Sequence, residues 1–433
     1  MGRSARAARR AFGRDRPGRA LIRSRGERLS ATPPEDRTRT SDQTVAPDAS
    51  PAASPPETHA FRLPVTFRAL RSPRYRIFFC GQGVSLLGTW IQIAALNWLV
   101  YNLRGSTTDL GFVSLAAFLP LLPFSLLGGV VADRISKRNL LLVTQSILML
   151  QALSLTVLVW LDVIRLWHLL LLSMVMGAAN AMDHPTRHAF VVEALDRRED
   201  LINAVALNST LFNLARTIGP ALAGMLVAAG GEALAFLINT ISYMAALTAL
   251  ALIRGVGRPA TTPRSVAEQL REGFGYIRRH RVTREVIGFV AVSAFCAMPF
   301  MHLMPAFARQ VLDAGPQTYG FLLSSVGVGA VVGGLTIASL KPGTRFGRVF
   351  PFGFLGFPLL IILFAQSRVL PLALGLVAVV GMLFITQNSL ANTILQTGIE
   401  DAFRGRVMSL YSLVFQSSFR LGVFGMGAFA AQV

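Results

Sequence analysis

The chain alternates long uncharged, mostly apolar stretches with short charged breaks from Ile77 to its last residues. Each stretch has roughly 20 residues, which is enough for an α-helix to cross the ~30 Å hydrocarbon layer of a bilayer. Helices satisfy their own backbone hydrogen bonds, so they are the expected form of these segments in lipid. The pattern predicts an all-α polytopic membrane protein with spans 1 to 11 at residues 77–103, 110–132, 139–161, 166–182, 201–231, 233–253, 286–308, 314–340, 349–367, 369–399 and 407–433.

Basic residues are concentrated in every second break between the spans. One set of breaks contains nineteen arginines and lysines, while the other set contains four, namely Arg104, Arg165, Arg309 and Arg368. Cytoplasmic loops of membrane proteins carry such an excess of basic residues. We therefore predict a multi-pass protein of the cell (inner or plasma) membrane with a cytoplasmic N-terminus.

Composition agrees with this placement of charge. Only 15% of residues are charged, against about 25% in globular proteins. The net charge of +20 follows from the basic breaks and the tail, so no nucleic-acid partner is expected. Cys80 and Cys296 lie within apolar stretches, and this predicts free thiols with no disulfide or metal site.

The predicted organisation has four parts. Residues 1–66 are rich in arginine and proline, and we expect a disordered cytoplasmic tail because such a segment buries little apolar surface. A six-helix bundle is expected at 67–254 and a second bundle at 285–433. In the linker 255–284, an apolar residue recurs at helical spacing at Val266, Leu270, Phe274 and Ile277. This predicts either an amphipathic helix on the inner membrane surface or a solvated linker helix.

Short matching segments indicate that the second bundle repeats the first. Gly111-Phe112 in span 2 recurs as Gly320-Phe321 in span 8, 209 residues later. Phe212 and Gly219 in span 5 recur as Phe415 and Gly422 in span 11, 203 residues later. Parallel halves with a site at their interface are common in secondary transporters.

The break after span 2 contains Gly129, Asp133, Arg134, Lys137 and Arg138. Their spacing resembles the G-x-x-x-D-R-x-x-[KR]-R signature of the major facilitator superfamily. The resemblance implies two six-helix bundles that expose a central site alternately to each side. It also implies that this motif meets span 11 and acts as a conformational gate. The second copy departs from the pattern, because Ala338 stands where Asp133 maps.

Two further segments favour export. Gly219, Pro220 and Gly224 resemble the G-P-x-x-[GA]-G motif of exporters in this superfamily. A proline kinks the helix, although packing alone also explains such a motif. The segment 185–190 resembles the branch that contains the enterobactin exporter and macrolide efflux proteins. The resemblance implies a gradient-driven, proton-coupled secondary exporter of a small amphipathic compound, such as a drug or siderophore, by alternating access.

Alternatives to an active exporter follow from the same sequence. The family has twelve helices, and the chain ends at Val433 within span 11, so we expect the twelfth helix to be missing. An inactive or partly active truncated transporter is one alternative. An importer or lipid flippase on the same scaffold is another.

Ionisable and polar residues inside membrane spans are functional candidates because they are costly there. Arg216 and Arg420 are expected to attract an anionic or oxygen-rich substrate, or else to pair structurally or extend to the lipid headgroups. Other candidates for the substrate cavity are Trp90, Gln92, Asn97, Asn213, Gln387 and Asn388. Hydrogen bonding between helices explains each polar one equally well.

No Asp or Glu lies at the centre of a span, so proton coupling has few candidates. They are His302, Asp183 and Asp109, and a packed neutral histidine is the alternative for His302. Enzyme motifs are absent: His184 and His188 lack the glutamate of H-E-x-x-H, and Gly327 to Gly333 lies in an apolar stretch typical of helix packing. We expect no enzyme activity, cofactor or metal, and a monomer whose partners are a small-molecule substrate, protons and the lipid bilayer.

Overall fold

The computed structural model describes residues 65–121, 123–124, 135–253, 266–339 and 346–432. The regular structure of these residues is entirely helical, with short 3₁₀-helices at Val65–Arg71 and Arg198–Asp200. The α-helices are α1 Pro73–Arg104, α2 Thr107–Phe118, α3 Lys137–Trp160, α4 Leu166–Ala194, α5 Leu201–Leu252, α6 Val266–Arg279, α7 Arg281–Cys296, α8 Phe300–Gln310, α9 Pro316–Ala338, α10 Phe346–Ala365, α11 Leu370–Gly398 and α12 Asp401–Ala430.

The helices account for the predicted spans. Eight helical stretches are long and apolar enough to cross a membrane, and one of them, Arg198–Leu252, contains both span 5 and span 6. Two shorter apolar helices, Thr107–Phe118 and Gly356–Ala365, overlap spans 2 and 9. The last part of span 2, from 125 to 132, lies outside the described residues. Span 7 is divided between α7 and α8, with Pro299 at the start of α8. The predicted tail lies outside the described residues except for its last two positions.

Spans 5 and 6 are the two arms of one element, α5. The arms meet at Gly230 and Gly231, and Gly231 has φ 73° and ψ 179°. This φ lies in the left-handed region, which glycine adopts without the steric cost that a Cβ brings. The two arms therefore turn back on each other without an intervening loop.

Small residues bring α1 against both arms of α5. Gly81 packs against Ala249 and Gly88 against Ser242 on the second arm, while Trp90 packs against Gly219 on the first arm. Lipid is as apolar as the helices, so the burial of apolar surface does not drive helix association in a membrane. Membrane helices depend instead on such close packing. These contacts place α1 at the centre of the N-terminal half.

The two halves meet at two helix crossings. On one side Gly224 of α5 packs against Gly320 of α9, and on the other Gly111 of α2 packs against Phe424 of α12. The Thr107 hydroxyl donates a 2.8 Å hydrogen bond to the carbonyl of Gly427. These contacts lie towards the end where α2, α4 and α9 begin, which we call the closed end. The opposite end, where α1, α3, α7 and α12 begin, carries the basic breaks, and we call it the basic end.

An aromatic contact adds to the closed end. Trp98 of α1 stacks on Tyr319 of α9, with ring centroids 5.7 Å apart and an angle of 26° between the rings. The guanidinium of Arg309 lies 5.9 Å from the Trp98 ring. Both rings are buried, so this stack seals the two halves together.

The linker helix α6 is docked on the C-terminal half at the basic end. Tyr276 is 6% exposed and stacks on Phe403 of α12 at a centroid distance of 5.0 Å. Glu272 forms an ion pair with Arg406. The predicted apolar face is only partly used, because Phe274 is 64% exposed while Gly273 contacts α12. The side chains of Val266 and Leu270 lie outside the described set.

Candidate substrate cavity

A cavity of about 210 Å³ lies between the halves at mid-depth in the bundle. Helices α1 to α5 form most of its wall, and α12 completes it from the C-terminal half. Its lining combines aromatic rings with cationic and neutral polar groups: Thr89, Trp90, Phe118, Asn180, His184, Arg187, Phe212, Tyr243, Gln416 and Arg420. A mixed aromatic and polar lining is typical of small-molecule sites.

A second, smaller cavity of about 90 Å³ lies on the other side of Trp90 and Ile93. Its wall comes from α1, α5, α8, α9 and α11. Arg216 and His302 are its ionisable lining residues, and the rest of the wall is mainly apolar. The two arginines predicted for one cavity thus line two neighbouring cavities.

Arg420 connects the halves across the larger cavity. Its Nη1 donates a 3.1 Å hydrogen bond to the Ser114 hydroxyl of α2, and its guanidinium lies 5.3 Å from the Phe419 ring. Within the described ranges it has no carboxylate partner. A positive charge without a counterion therefore faces the cavity.

Arg187 adds a cation to the same wall, but its charge is balanced. It forms an ion pair with Asp183, which is 0% exposed and also accepts hydrogen bonds from Thr144 (2.9 Å) and Gln145 (2.8 Å). This network joins α3 to α4. Of the predicted proton carriers, Asp183 is thereby connected to the larger cavity, through Arg187.

The other predicted proton carriers lie elsewhere. Asp109 is in the first turn of α2 at the closed end, where its carboxylate is 3.6 Å from Arg104 Nε. The negative charge is favourable at a helix N-terminus. His302 lines the smaller cavity, and its ring is 5.2 Å from Phe419.

Several predicted cavity residues lie in neither cavity. Gln92 is buried in a network in which it donates to Gln151 (2.9 Å) and accepts from Asn239 (2.7 Å). Asn97 lies beside the Tyr319 hydroxyl in the closed-end region. These two amides therefore do not line either cavity, and Gln92 joins α1 to α3 and α5. Asn213 also lines neither cavity, but it accepts a hydrogen bond from Arg216, which does.

The candidates on α11 are also separate from both cavities. Gln387 is buried, and its Oε1 has no hydrogen-bond partner within the described segments. Asn388 donates a 3.0 Å hydrogen bond to the Phe384 carbonyl of its own helix. Neither side chain lines the cavities described above.

The predicted gate motif is described only in part. Gly129, Asp133 and Arg134 lie outside the described residues. Lys137 forms an ion pair with Glu193 of α4, and Arg138 donates to the Leu250 carbonyl at 2.7 Å. The described part of the motif thus ties α3 to the ends of α4 and α5, within the N-terminal half, and its expected approach to span 11 stays a prediction.

The Gly-Pro motif lies at the contact between the halves. Gly219 leaves room for Trp90, and Gly224 leaves room for the backbone of Pro316 and Gly320. Pro220 also borders the smaller cavity. The glycines allow α5 to approach both α1 and α9 closely.

Sequence reasoning missed several lining residues of the larger cavity. Arg187, Tyr243, Asn180 and Gln416 were not among the candidates. The segment 185–190 did contain Arg187, and its motif-like spacing was the available signal. The remainder required knowing which face of each helix is turned inward.

Two halves packed about a central polar cavity in an apolar helical bundle are typical of secondary membrane transporters. The chain belongs to the transmembrane secretion effector family of the major facilitator superfamily, whose sequence profile matches residues 65–433. This confirms the superfamily predicted from the Asp133 motif.

Curated relatives of the chain are transporters and exporters. It is 26% identical to the staphyloferrin A transporter of Staphylococcus aureus, over 77% of this chain and 84% of that protein. It is 24% identical to the multidrug efflux pump Tap of Mycolicibacterium fortuitum, over 79% of this chain and 86% of that protein. It is also 24% identical to the enterobactin exporter EntS of Escherichia coli, over 83% of this chain and 86% of that protein.

Solved structures show the same fold. A bacterial homologue of the human lysosomal transporter Spinster gives a TM-score of 0.66 at 13% identity, covering 84% of this chain and 83% of that one. A bacterial homologue of the iron transporter ferroportin gives 0.60 at 14% identity, covering 82% and 91%. These likenesses confirm the predicted fold class.

Proposed function

We propose that this protein exports a small amphipathic compound carrying negative charge, by alternating access and at the expense of the proton gradient. The observation that carries the proposal is the larger cavity, where Arg420 of one half reaches Ser114 of the other and presents an unbalanced positive charge. A substrate bound there contacts both halves, as alternating access requires. The exporters among the relatives favour the outward direction.

The distribution of contacts between the halves supports alternating access. From Thr217 of α5 to the closed end, the two halves are in close contact. If the basic end is cytoplasmic, as the positive-inside rule predicts, this contact closes the cavity towards the outside, as in a state that receives substrate from the cytoplasm.

The lining indicates the class of substrate. Trp90 and Phe212 make an edge-to-face contact at 5.6 Å and provide an apolar wall, while Arg420 provides a cationic one. An unpaired guanidinium in a low-dielectric cavity attracts carboxylate or phenolate groups strongly. An organic anion with an aromatic or apolar body satisfies both walls.

Everted membrane vesicles test the proposal. We expect a panel of aromatic carboxylates and phenolates to include compounds that accumulate in the vesicles when a proton gradient is imposed. A protonophore is expected to abolish the accumulation, and neutral compounds of the same shape serve as controls. Accumulation that is unchanged by the protonophore would contradict the proposed proton coupling. Uptake into intact cells, or movement of lipid alone, would instead support an importer or a flippase.

A further inference from the structure

The smaller cavity combines one cationic side chain with a largely apolar wall. Arg216 enters it from α5 in the N-terminal half, and His302 enters it from α8 in the C-terminal half. Much of the remaining wall is formed by residues such as Ala94, Met301 and Leu323. The cavity therefore spans the interface between the halves but lies apart from the larger cavity.

Arg216 has more hydrogen-bonding capacity than the protein satisfies. Its Nη2 donates to Asn213 Oδ1 at 3.2 Å, while its buried Nε has no partner among the described residues. No ion pair joins it to an acid within the described part of the chain. Over the same described ranges, the buried Nδ1 of His302 also lacks a partner. Unsatisfied buried polar groups are costly, and an unpaired charge at membrane depth is costlier still.

We propose that the smaller cavity binds a monoatomic anion of the halide class, with chloride as the natural candidate, held by Arg216. The cavity volume of about 90 Å³ is well below the roughly 300–1,000 Å³ of sites for drug-sized molecules. One water takes up about 30 Å³ of liquid, so the space suits a halide with one or two waters. The anion accepts hydrogen bonds from the part of the Arg216 guanidinium that lines the cavity. It also balances the charge of Arg216, which water alone cannot do.

The position of the site predicts what the anion does. Arg216 belongs to one half, and His302 to the other. The ring of His302 lies against Phe419, which in turn lies against the guanidinium of Arg420, so positive potential reaches the cavity from both halves. An anion at this interface stabilises the arrangement in which the halves are in contact.

The test measures binding without substrate or gradient, so it is independent of the proposed transport function. The purified full chain is unfolded thermally in a sodium chloride series, with sodium gluconate holding ionic strength constant. A ligand that binds only the folded state stabilises it by RT ln(1 + [L]/Kd), so the unfolding midpoint rises with the logarithm of the ligand concentration above Kd. We expect such a rise with chloride, a similar rise with bromide, and none with gluconate alone.

Two variants separate a specific site from a general effect of charge. Arg216→Gln removes the cation, and we expect halide affinity to fall about tenfold or more, as for the loss of a charged hydrogen bond. Arg368→Gln removes an exposed arginine at the closed end and is expected to keep the wild-type dependence. Equal halide dependence in both variants would overturn the proposal.

A direct measurement covers the case in which Arg216→Gln does not fold. Radioactive chloride is equilibrated with the wild-type protein. We expect one bound chloride ion per chain, and we expect unlabelled bromide to displace it. Crystals grown in bromide are expected to show anomalous density in the cavity beside Arg216. No bound isotope together with midpoints that are identical in chloride and gluconate would show that the cavity holds only water.

Discussion

Single side chains in the centre of the molecule differ in how their charges are balanced. Arg187 is paired with the buried Asp183. In the part of the chain that the structure describes, Arg420 instead donates only to the neutral Ser114 and lies near the Phe419 ring. A paired arginine contributes to the wall, while an unpaired arginine is free to bind a ligand. We therefore expect the larger cavity to recognise its substrate mainly through Arg420.

Replacing this arginine tests that expectation. Arg420→Gln is expected to weaken the transport of an anionic compound by about 10–100-fold, since a hydrogen bond to a charged group contributes about 1.5–3 kcal/mol. Transport of a neutral compound of the same shape is expected to change little. Concentration-dependent uptake in everted vesicles measures both, with Arg368→Gln as the matched control. An equal loss for anionic and neutral compounds would point to a structural role.

A substitution of a single residue also tests the coupling of protons to transport. Because Asp183 is buried beside the larger cavity and its partner Arg187 lines that cavity, we expect Asp183 to take up the proton when an anionic substrate draws Arg187 away from it. Asp183→Asn keeps the shape and is expected to leave facilitated exchange of substrate intact while abolishing accumulation driven by a pH gradient. Parallel exchange and accumulation assays distinguish this from general loss of function. If Asp183→Asn accumulates substrate at the wild-type level in a pH gradient, proton coupling depends on another residue.

At the scale of the helix, the crossing of α5 and α9 depends on glycines. A Cβ on Gly320 would overlap the backbone of Pro220 and Gly224, whereas a Cβ on Gly334, further along the same helix, meets nothing within 4 Å. Close approach of this kind is the usual reason for small residues between membrane helices. The two glycines therefore have different roles despite their identical chemistry.

This difference gives a paired prediction. Gly320→Ala is expected to destabilise the protein by about 1–3 kcal/mol, as overpacking does. Gly334→Ala is expected to be neutral or stabilising, because alanine is the better helix former by about 1 kcal/mol. Thermal unfolding in detergent compares the two proteins. Equal midpoints would mean that α9 shifts freely on α5.

The docked linker helix α6 gives another prediction at this scale. Tyr276 is buried against Phe403, so Tyr276→Ala leaves a cavity that is expected to cost about 3 kcal/mol or more. Amide exchange across 266–279 is expected to accelerate as the helix detaches. Phe274→Ala, at an exposed position on the same helix, serves as the control. Faster exchange in the control alone would place the docking contact on the other face.

At the scale of the whole molecule, the two halves and their orientation form one arrangement. Cysteine labelling tests it after Cys80 and Cys296 have been replaced by serine. We expect Arg138→Cys and Arg404→Cys to react with a membrane-impermeant reagent from the cytoplasmic side only. Arg165→Cys and Arg368→Cys are expected to react from the other side only. Labelling of Arg138→Cys and Arg404→Cys from opposite sides would contradict the predicted topology.

The sequence predicts the whole architecture better than the site. Spans are readable because lipid demands long uncharged helices, and the superfamily follows from a motif of fixed spacing. Arg216 and Arg420 are conspicuous because charge is rare within such spans. The roles of Gln92 and Tyr243 were not readable, since inward and lipid-facing positions have similar composition in a membrane helix. Only the packing of α1 against α3 and α5 distinguishes a network amide from a cavity residue.

The junction of the two arms of α5 has a practical consequence for reporter insertion. Gly230 and Gly231 form the whole connection between two membrane-crossing arms. There is therefore no loop at this point that could accommodate inserted residues. We expect an epitope inserted between the two glycines to abolish the folded protein, although the junction faces open space at Gly231. The turn after α4, at 195–197, joins separate helices and is the better position for a tag, and expression of the two tagged forms provides the comparison.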